Sequence, residues 1–196
     1  MLQVAVQTFL TLDGVYQAPG GAEEDTEGGF KHGGWQMQFW EDEGGKIIDE
    51  QMKKTRGMLM GRKTYDIFAS YWPNATEDVE IARLFNTIPK YVASRSMKKA
   101  DWQGTTVIGK DLPQEIAKAK QQDGEGLIYV PGSGNLIQSL MKLNLVDEYC
   151  LWIHPILLGS GKRLFTDGVV PTNLKLVETR GTPKGVQILT YRPEVK

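Results

Sequence analysis

Glycine-rich and cationic residues follow several short apolar stretches of this chain, at positions where a backbone can bind phosphate. Pro131-Gly132-Ser133-Gly134-Asn135 lies between the apolar stretch 127–130 and an amphipathic segment. Glycine lets the backbone approach a ligand closely, and the free N–H groups of a first helical turn attract an anion. The segment therefore predicts either a pyrophosphate site or a tight strand-to-helix turn that needs glycine for its own geometry.

Two familiar nucleotide motifs do not fit these glycines. A dinucleotide fingerprint requires a third glycine at the position of Ile137. A phosphate-binding loop ahead of Gly161-Lys162 would require a glycine at Ile156 and a Ser or Thr at Arg163. The segment 159–163 is then a cationic loop, equally suited to a turn or to an anionic ligand.

Two further junctions carry cations and hydroxyls. Gly61-Arg62-Lys63-Thr64-Tyr65 follows the apolar run 58–60 and begins a helix. This start is either a solvated helix terminus or an anion site, and cations that oppose the helix dipole favour the anion site. Ser94-Arg95-Ser96 ends another strand with one cation between two hydroxyls, a pattern that by itself is typical of an ordinary loop. Three such junctions together predict one elongated dinucleotide whose negative charges are neutralised at several strand ends.

The elements that position these junctions follow from hydrophobic periodicity. Strands are predicted at 2–10, 58–60, 90–94, 105–108, 127–130, 148–153, 174–180 and 185–191, and helices at 46–56, 63–71, 77–86, 111–121 and 135–142. Gly57 is the predicted end of the first helix, and Asp111 is the predicted N-cap of the fourth, with Gln114 three residues on. The order predicts an α/β fold with a mixed sheet, helices on both faces and a C-terminal hairpin through residues 181–184.

Residues 11–45 form a long segment without a regular period. It contains four glycine pairs and an acidic cluster, Glu23, Glu24, Asp25 and Glu27. Long loops in compact domains are often binding lids, so we expect part of this segment to dock on the body or on a ligand.

Composition excludes several classes of protein. The 196 residues carry a net charge of −1, with 23 Lys and Arg against 24 Asp and Glu, so nucleic acid is not the expected partner. The single Cys150 excludes an intrachain disulfide and a multi-cysteine metal cluster, and no metal site is predicted. The chain lacks a signal-like N-terminus and any apolar stretch of roughly 18 residues, so we expect one domain, 1–196, in the cytoplasm and no membrane contact.

These motifs, in their order and spacing, resemble those of the dihydrofolate-reductase-like superfamily. Within it, the chain is similar to the reductase domain of the bifunctional riboflavin-biosynthesis deaminase-reductase. The resemblance spans nearly the whole chain and rests on Thr11-Leu12-Asp13-Gly14, Leu145-Val146-Asp147-Glu148 and the segments 60–65, 93–96, 131–140 and 155–165. It implies a three-layer α/β/α fold, NADPH at the C-terminal ends of the central strands, and a homodimer formed through the late strands.

The resemblance also implies roles for individual residues. Gly61, Arg62, Lys63 and Thr64 would contact phosphates, and Ser94 and Arg95 would bind the adenosine 2′-phosphate. Gly132, Ser133, Gly134, Asn135 and Leu136 would hold the pyrophosphate. Leu12, Asp13 and Gly14 would border the nicotinamide ribose, and Leu158 and Gly159 would lie near the reacting ring. The single cysteine excludes the zinc deaminase of the bifunctional protein.

Candidates for substrate binding and catalysis lie mostly before the first helix. Asp13 is the carboxylate expected nearest the nicotinamide ribose, or else a turn residue before Gly14. Asp42 and Glu43 would protonate a substrate nitrogen if buried, and are otherwise solvated charges at a helix start. Trp35 and Phe39 would stack on a flat heterocycle or, alternatively, dock the loop on the core. Gly161 and Arg163 are further candidate substrate contacts.

Two functions fit these motifs. The first is an NADPH-dependent reductase that transfers hydride to a small pterin- or pyrimidine-like heterocycle, since hydride transfer asks little of protein side chains. The second is a dinucleotide-binding sensor or dimeric interaction module without turnover. The sequence does not distinguish these two functions, because both use the same cofactor-binding motifs.

Overall fold

The computed structural model describes residues 1–76 and 79–194. Its helices and strands follow one another as β1 (Gln3–Thr11), α1 (Asp42–Lys53), β2 (Thr55–Gly61), α2 (Arg62–Tyr71), α3 (Val79–Thr87), β3 (Lys90–Ala93), β4 (Thr105–Ile108), α4 (Leu112–Lys120), β5 (Leu127–Pro131), α5 (Gly134–Lys142), β6 (Glu148–His154), β7 (Leu174–Gly181) and β8 (Gln187–Pro193). No helix in these residues is long and apolar enough to cross a membrane.

The eight strands form one sheet in the order β4-β3-β2-β5-β1-β6-β8-β7. The first six strands in this order are parallel, and β8 runs antiparallel to both β6 and β7. The predicted mixed, mostly parallel sheet with a C-terminal hairpin is therefore confirmed. Parallel strands have their carboxyl ends on one edge, so the loops after β2, β3 and β5 leave the sheet on the same side.

Helices cover both faces of this sheet. Val4 and Val6 of β1 are fully buried on one face, where they belong to the same core as residues of α4 and α5 such as Ile116 and Ile137. On the other face, residues of α1, α2 and α3 pack against alternate residues of β2, β3 and β6. The result is the predicted three-layer α/β/α arrangement, produced by strands that are apolar on both sides.

The region around Gly57 differs from its prediction. Helix α1 begins at Asp42 and ends at Lys53, whereas 46–56 was predicted, and Gly57 lies inside β2. Gly57 pairs with Ile128 of β5, and a Cβ there would be 3.5 Å from the Pro89 carbonyl oxygen. Gly57 as a helix end is therefore wrong, because strand pairing with β5 overrides the local helix signal.

Other boundaries agree more closely. Asp111 caps α4 and accepts a hydrogen bond from the N–H of Gln114 at 3.1 Å, which confirms the predicted cap. Helix α3 is observed from Val79 to Thr87. The predicted start of that helix, Glu77, lies outside the described residues.

The ammonium group of Lys90, at the start of β3, is fully buried in the core. Its Nζ donates 2.8 Å hydrogen bonds to the carbonyl oxygens of Phe85 and Ile88 and lies 4.7 Å from the centroid of the Trp102 ring. Lys90 has no carboxylate partner in residues 1–76 and 79–194. Burial lowers the pKa of Lys90 to about 8. The side chain thus satisfies carbonyls at the end of α3 at a cost in desolvation.

This burial predicts a pH-dependent stability. Above pH 8 the folded protein releases the Lys90 proton, while the unfolded chain keeps it up to its ordinary pKa of 10.5. At this group the unfolded state then holds more protons, so the contribution of Lys90 to the free energy of unfolding rises with pH across this window, by up to about 3 kcal/mol. Urea unfolding at several pH values should show this rise in the difference between the wild type and Lys90→Met. The exposed Lys98→Met is the control, and equal pH slopes for wild type and Lys90→Met would contradict the prediction.

Candidate functional site

The junction between β5 and α5 has a backbone conformation that turns N–H groups outward. Gly132 and Ser133 have φ values of 49° and 51°, in the left-handed region. The first hydrogen bond within α5 runs from the N–H of Ile137 to the Ser133 carbonyl at 3.0 Å, which leaves the preceding N–H groups of the helix without intrahelical acceptors. Ser133 occupies the N-cap position but makes no side-chain cap to the helix. The helix start is therefore available to an anion.

The Ser133 hydroxyl instead joins this junction to the one between β2 and α2. Its Oγ accepts a 3.0 Å hydrogen bond from the N–H of Gly61 and donates one of 2.7 Å to Oγ1 of Thr64. A Cβ at Gly61 would lie 3.5 Å from Oγ of Ser133, at ordinary van der Waals distance. Two of the three predicted phosphate-binding junctions are thus in direct contact.

The third junction follows β3. The N–H of Ser94 donates to the Ile108 carbonyl of β4 at 2.8 Å, and its hydroxyl accepts from the N–H of Met97 at 3.0 Å. Arg95 is exposed, and its guanidinium has no ion-pair partner among the residues the structure describes. Arg95 is consequently a cation at a strand end without an anionic partner in residues 1–76 and 79–194.

All three junctions line one cavity of about 1250 Å³. Its lining contains eleven of the residues predicted to bind a cofactor: Gly61, Arg62, Lys63, Thr64, Ser94, Arg95, Gly132, Ser133, Gly134, Asn135 and Leu136. Pockets for small molecules typically enclose roughly 300 to 1,000 Å³, so the volume of this cavity lies above the usual range.

The remaining predicted cofactor residues lie outside the cavity lining and form a cluster around Asp13. The Asp13 carboxylate accepts hydrogen bonds from the N–H groups of Leu158 at 3.2 Å and Gly159 at 2.9 Å, and from Oγ1 of Thr11 at 2.6 Å. Desolvation opposes ionisation, but these hydrogen bonds together outweigh it and lower the pKa of Asp13 to about 2. An ionised carboxylate of this kind fixes two loops together and holds no proton to donate at neutral pH.

The residues around Asp13 also lie outside the cavity lining. Arg163 donates to the Asp13 carbonyl at 3.0 Å and to its carboxylate at 3.2 Å, and Leu12 is 65% exposed. Gly14 has a φ of 81°, and Gly161, at 114°, is packed so closely that a Cβ would lie 2.8 Å from both Phe30 and Val15. These residues connect the loop after β1 to the loop after β6, beside the cavity rather than in its wall.

The aromatic and acidic candidates are also not part of the cavity lining. Trp35 is 4% exposed, packs with Val15, Ala18 and Phe30, and donates from Nε1 to the Gln17 carbonyl at 2.8 Å. Phe39 contacts the core formed by α1, β6 and β8. Asp42 and Glu43 are exposed in the first turn of α1, where Glu43 forms a 3.5 Å ion pair with Lys46. The structure thus brings together the phosphate-binding candidates but not these side chains.

One wall of the cavity comes from the loop between β1 and α1, residues 12–41. Tyr16 of this loop lies directly on the start of α5, because a Cβ at Gly134 would be 2.1 Å from Cζ and 2.4 Å from Oη of Tyr16. Gln17 is 2% exposed and donates to the carbonyls of Asp25 and Glu27 at 3.0 and 2.9 Å. Sequence reasoning missed Tyr16 and Gln17 as site residues, although the acidic cluster and the length of the loop indicated a lid.

The acidic side chains of this loop are paired with lysines at the cavity. Nζ of Lys162 bonds to the Asp25 carboxylate and, at 2.7 Å, to that of Glu27. Glu27 also forms an ion pair with Lys63 at the start of α2. Hydrogen bonds from Lys162 and Lys63 lower the pKa of Glu27 to about 2. Lys63, predicted to bind phosphate, is therefore bound to a protein carboxylate in this structure, and Lys162 is a second such lysine.

A different part of the cavity lining is aromatic and amide-rich. Phe9 of β1, Phe68 of α2 and Tyr129 of β5 contribute rings, and Gln7 and Gln36 contribute amides that are 6% and 7% exposed. Aromatic rings and amides of this kind can pack on the faces of a flat heterocycle and hydrogen-bond its ring nitrogens and carbonyls.

Solved structures share this fold. A putative riboflavin biosynthesis protein from Shewanella sp. PV-4 aligns with a TM-score of 0.68 at 20% identity, covering 99% of this chain and all of the other. A pyrimidine reductase-like protein from Corynebacterium diphtheriae aligns with a TM-score of 0.68 at 11% identity, over 100% and 93% of the two chains. Dihydrofolate reductase from Enterococcus faecalis aligns with a TM-score of 0.59 at 16% identity, over 98% and 97%. These similarities confirm the dihydrofolate-reductase-like fold.

Sequence comparison identifies relatives and a family. The uncharacterized protein YyaP of Bacillus subtilis (strain 168) is 36% identical over 137 residues, 68% of this chain and 72% of its own length. YwjB of the same organism is 25% identical over 157 residues, 79% and 83% of the two chains. The family model described as the RibD C-terminal domain matches residues 3–188. With its sheet order, strand-end junctions and nearly full-length match, the chain belongs to the RibD C-terminal domain family.

Proposed function

We propose that the protein is an NADPH-dependent reductase of a small pterin- or pyrimidine-like heterocycle. The observation that carries the proposal is the meeting of three phosphate-suited strand ends on one cavity with an aromatic surface. Two solved structures of this fold support it: one is described as pyrimidine reductase-like, and the Enterococcus faecalis reductase is described as complexed with NADP(H).

The residues of the cavity suit a dinucleotide phosphate. The free N–H groups at the start of α5 and the adjoining Gly61–Thr64 junction would bind the pyrophosphate, since backbone donors and a helix dipole attract anions. Arg95, exposed and without an ion-pair partner in the described chain, would bind the 2′-phosphate together with Ser94. A guanidinium with free donors pairs well with a phosphate, which favours NADPH over NADH.

The chain's own part in the reaction is to bind and orient. Bound NADPH would supply the hydride from C4 of its nicotinamide. Phe9, Phe68 and Tyr129 would exclude water and pack on the ring faces, and the amides of Gln7 and Gln36 would hydrogen-bond its edge. A proton from solvent would complete the reduction, because the Asp13 carboxylate is ionised at neutral pH and Asp42 and Glu43 are exposed outside the cavity lining.

We also propose a cytoplasmic homodimer. The edge strand β7 is exposed along nearly its whole length and presents Leu174, Leu176 and Val177, which are 37%, 48% and 47% exposed. An exposed edge strand pairs readily with another chain, and these three apolar side chains favour a second copy as the partner. The buried, unpaired Cys150 suits a reducing compartment.

Removal of the Arg95 guanidinium should distinguish the two cofactors. Arg95→Ala should weaken NADPH binding by about tenfold, the loss of one exposed charge-assisted contact, and leave NADH binding nearly unchanged. Isothermal titration with both cofactors measures this. Lys98→Ala, which removes a nearby exposed cation, should change neither affinity, and equal losses of NADPH and NADH in Arg95→Ala would exclude the 2′-phosphate role.

Turnover separates a reductase from a binding-only module. Purified protein should oxidise NADPH, followed by the loss of its absorbance, in the presence of at least one compound from a panel of pterins and pyrimidines. Gln7→Leu should lower this rate, because an amide that would orient the ring is lost while the cofactor junctions are kept. Tight NADPH binding without turnover on any panel member would favour the sensor.

A substitution in β7 tests the proposed dimer. Light scattering should report a dimer for the wild type and a monomer for Val177→Glu, since a charge would then be buried in the contact. Leu143→Glu places the same charge at an exposed leucine after α5 and should stay dimeric. A monomeric wild type would refute the proposed assembly.

A further inference from the structure

The loop between β1 and α1 contacts two of the three junctions that would bind phosphate. Tyr16 packs on Gly134 at the start of α5, and Glu27 forms an ion pair with Lys63 at the start of α2. Glu27 also bonds to Lys162 at 2.7 Å. A carboxylate is therefore bound between two lysines of the cavity wall, where an anionic group of a ligand would otherwise be attracted.

The rest of the loop is fixed by contacts that do not involve these lysines. The indole of Trp35 bonds to the Gln17 carbonyl, and the N–H of Gly34 donates to the Ala18 carbonyl at 2.8 Å. A Cβ at Gly33 would lie 2.4 Å from the Ala22 carbonyl oxygen, so the two halves of the loop are in close contact. The Lys63–Glu27 pair can consequently open without unfolding the loop.

The two lysines that Glu27 contacts differ in exposure. In the Lys63–Glu27 pair the side chains are 73% and 60% exposed. Lys162 is 30% exposed, and its other carboxylate partner, Asp25, is 22% exposed. Exposed ion pairs contribute little to stability, so a more highly charged phosphate can displace Glu27 from Lys63 at small cost. The more buried Lys162–Asp25 pair would keep Lys162 at the cavity wall during this exchange.

We propose, on the basis of the proposed function, that in the free protein the Glu27 carboxylate binds Lys63 and Lys162 at the position that a ligand phosphate takes in the complex. Binding of the dinucleotide exchanges the Glu27 carboxylate for a phosphate group on these two lysines. Lys162 is thereby a phosphate-binding residue that the resemblance does not assign, and Glu27 is an internal competitor that sets the affinity.

Charge-neutral variants of the loop test this exchange by isothermal titration with NADPH and with inorganic pyrophosphate. Glu27→Gln should bind both about threefold more tightly than the wild type, the gain expected when an exposed ion pair no longer competes. Glu23→Gln removes the same charge from an exposed residue of the same loop that also lines the cavity, and it should bind like the wild type. Thermal unfolding of each variant controls for changes in folding.

Variants of the two lysines identify the mechanism of that gain. Lys63→Met and Lys162→Met should each weaken binding of both probes. In the Lys63→Met background, Glu27→Gln should give a smaller gain than in the wild type, because one of the two lysines it frees is missing. An equal gain in affinity in both backgrounds, or an equal gain from Glu23→Gln, would show that only general charge repulsion changes. Either result would overturn the proposal.

The outcomes separate this inference from the proposed function. If the wild type binds NADPH and Glu27→Gln binds no more tightly, the competition by Glu27 is refuted and the reductase proposal stands. If neither the wild type nor Glu27→Gln binds NADPH or pyrophosphate, both proposals are refuted.

Discussion

The hydroxyl of Ser133 is the contact on which the geometry of the cavity depends. It accepts from the N–H of Gly61 and donates to Thr64, so the ends of β2 and β5 are held at hydrogen-bond distance. Because this hydroxyl is turned toward the neighbouring strand, it does not cap α5. A group that commonly completes a helix start is used here to join two junctions, and the helix N–H groups stay free to bind a ligand.

The loop between β1 and α1 adds a second constraint to the same region. Its own small apolar core, with Val15, Phe30 and Trp35, gives it a defined shape. That shape places Tyr16 on α5 and Glu27 on Lys63, so the loop forms one wall of the cavity. The loop therefore lies against the strand ends that would bind an anion, while Asp13 joins the beginning of the loop to the segment after β6.

Much of the fold could be predicted because its determinants are local. The alternation of apolar residues in β1 and the capping residue Asp111 are visible in the sequence, and both elements occur where predicted. Gly57 could not be placed in the same way, since its strand conformation depends on pairing with Ile128, 71 positions away along the chain. The aromatic candidates were equally ambiguous, because Trp35 suits a ligand or a buried loop core and only packing distinguishes them.

By itself, the sequence determined that the chain is α/β, that three strand ends carry glycine, hydroxyl and cationic residues, and that the net charge is −1. These properties depend on residue type and short-range spacing. The tertiary structure alone decided that the three strand ends share one cavity and that Lys63 and Lys162 face Glu27. Those facts depend on strand order and on contacts between residues far apart along the chain, which periodicity and composition do not record.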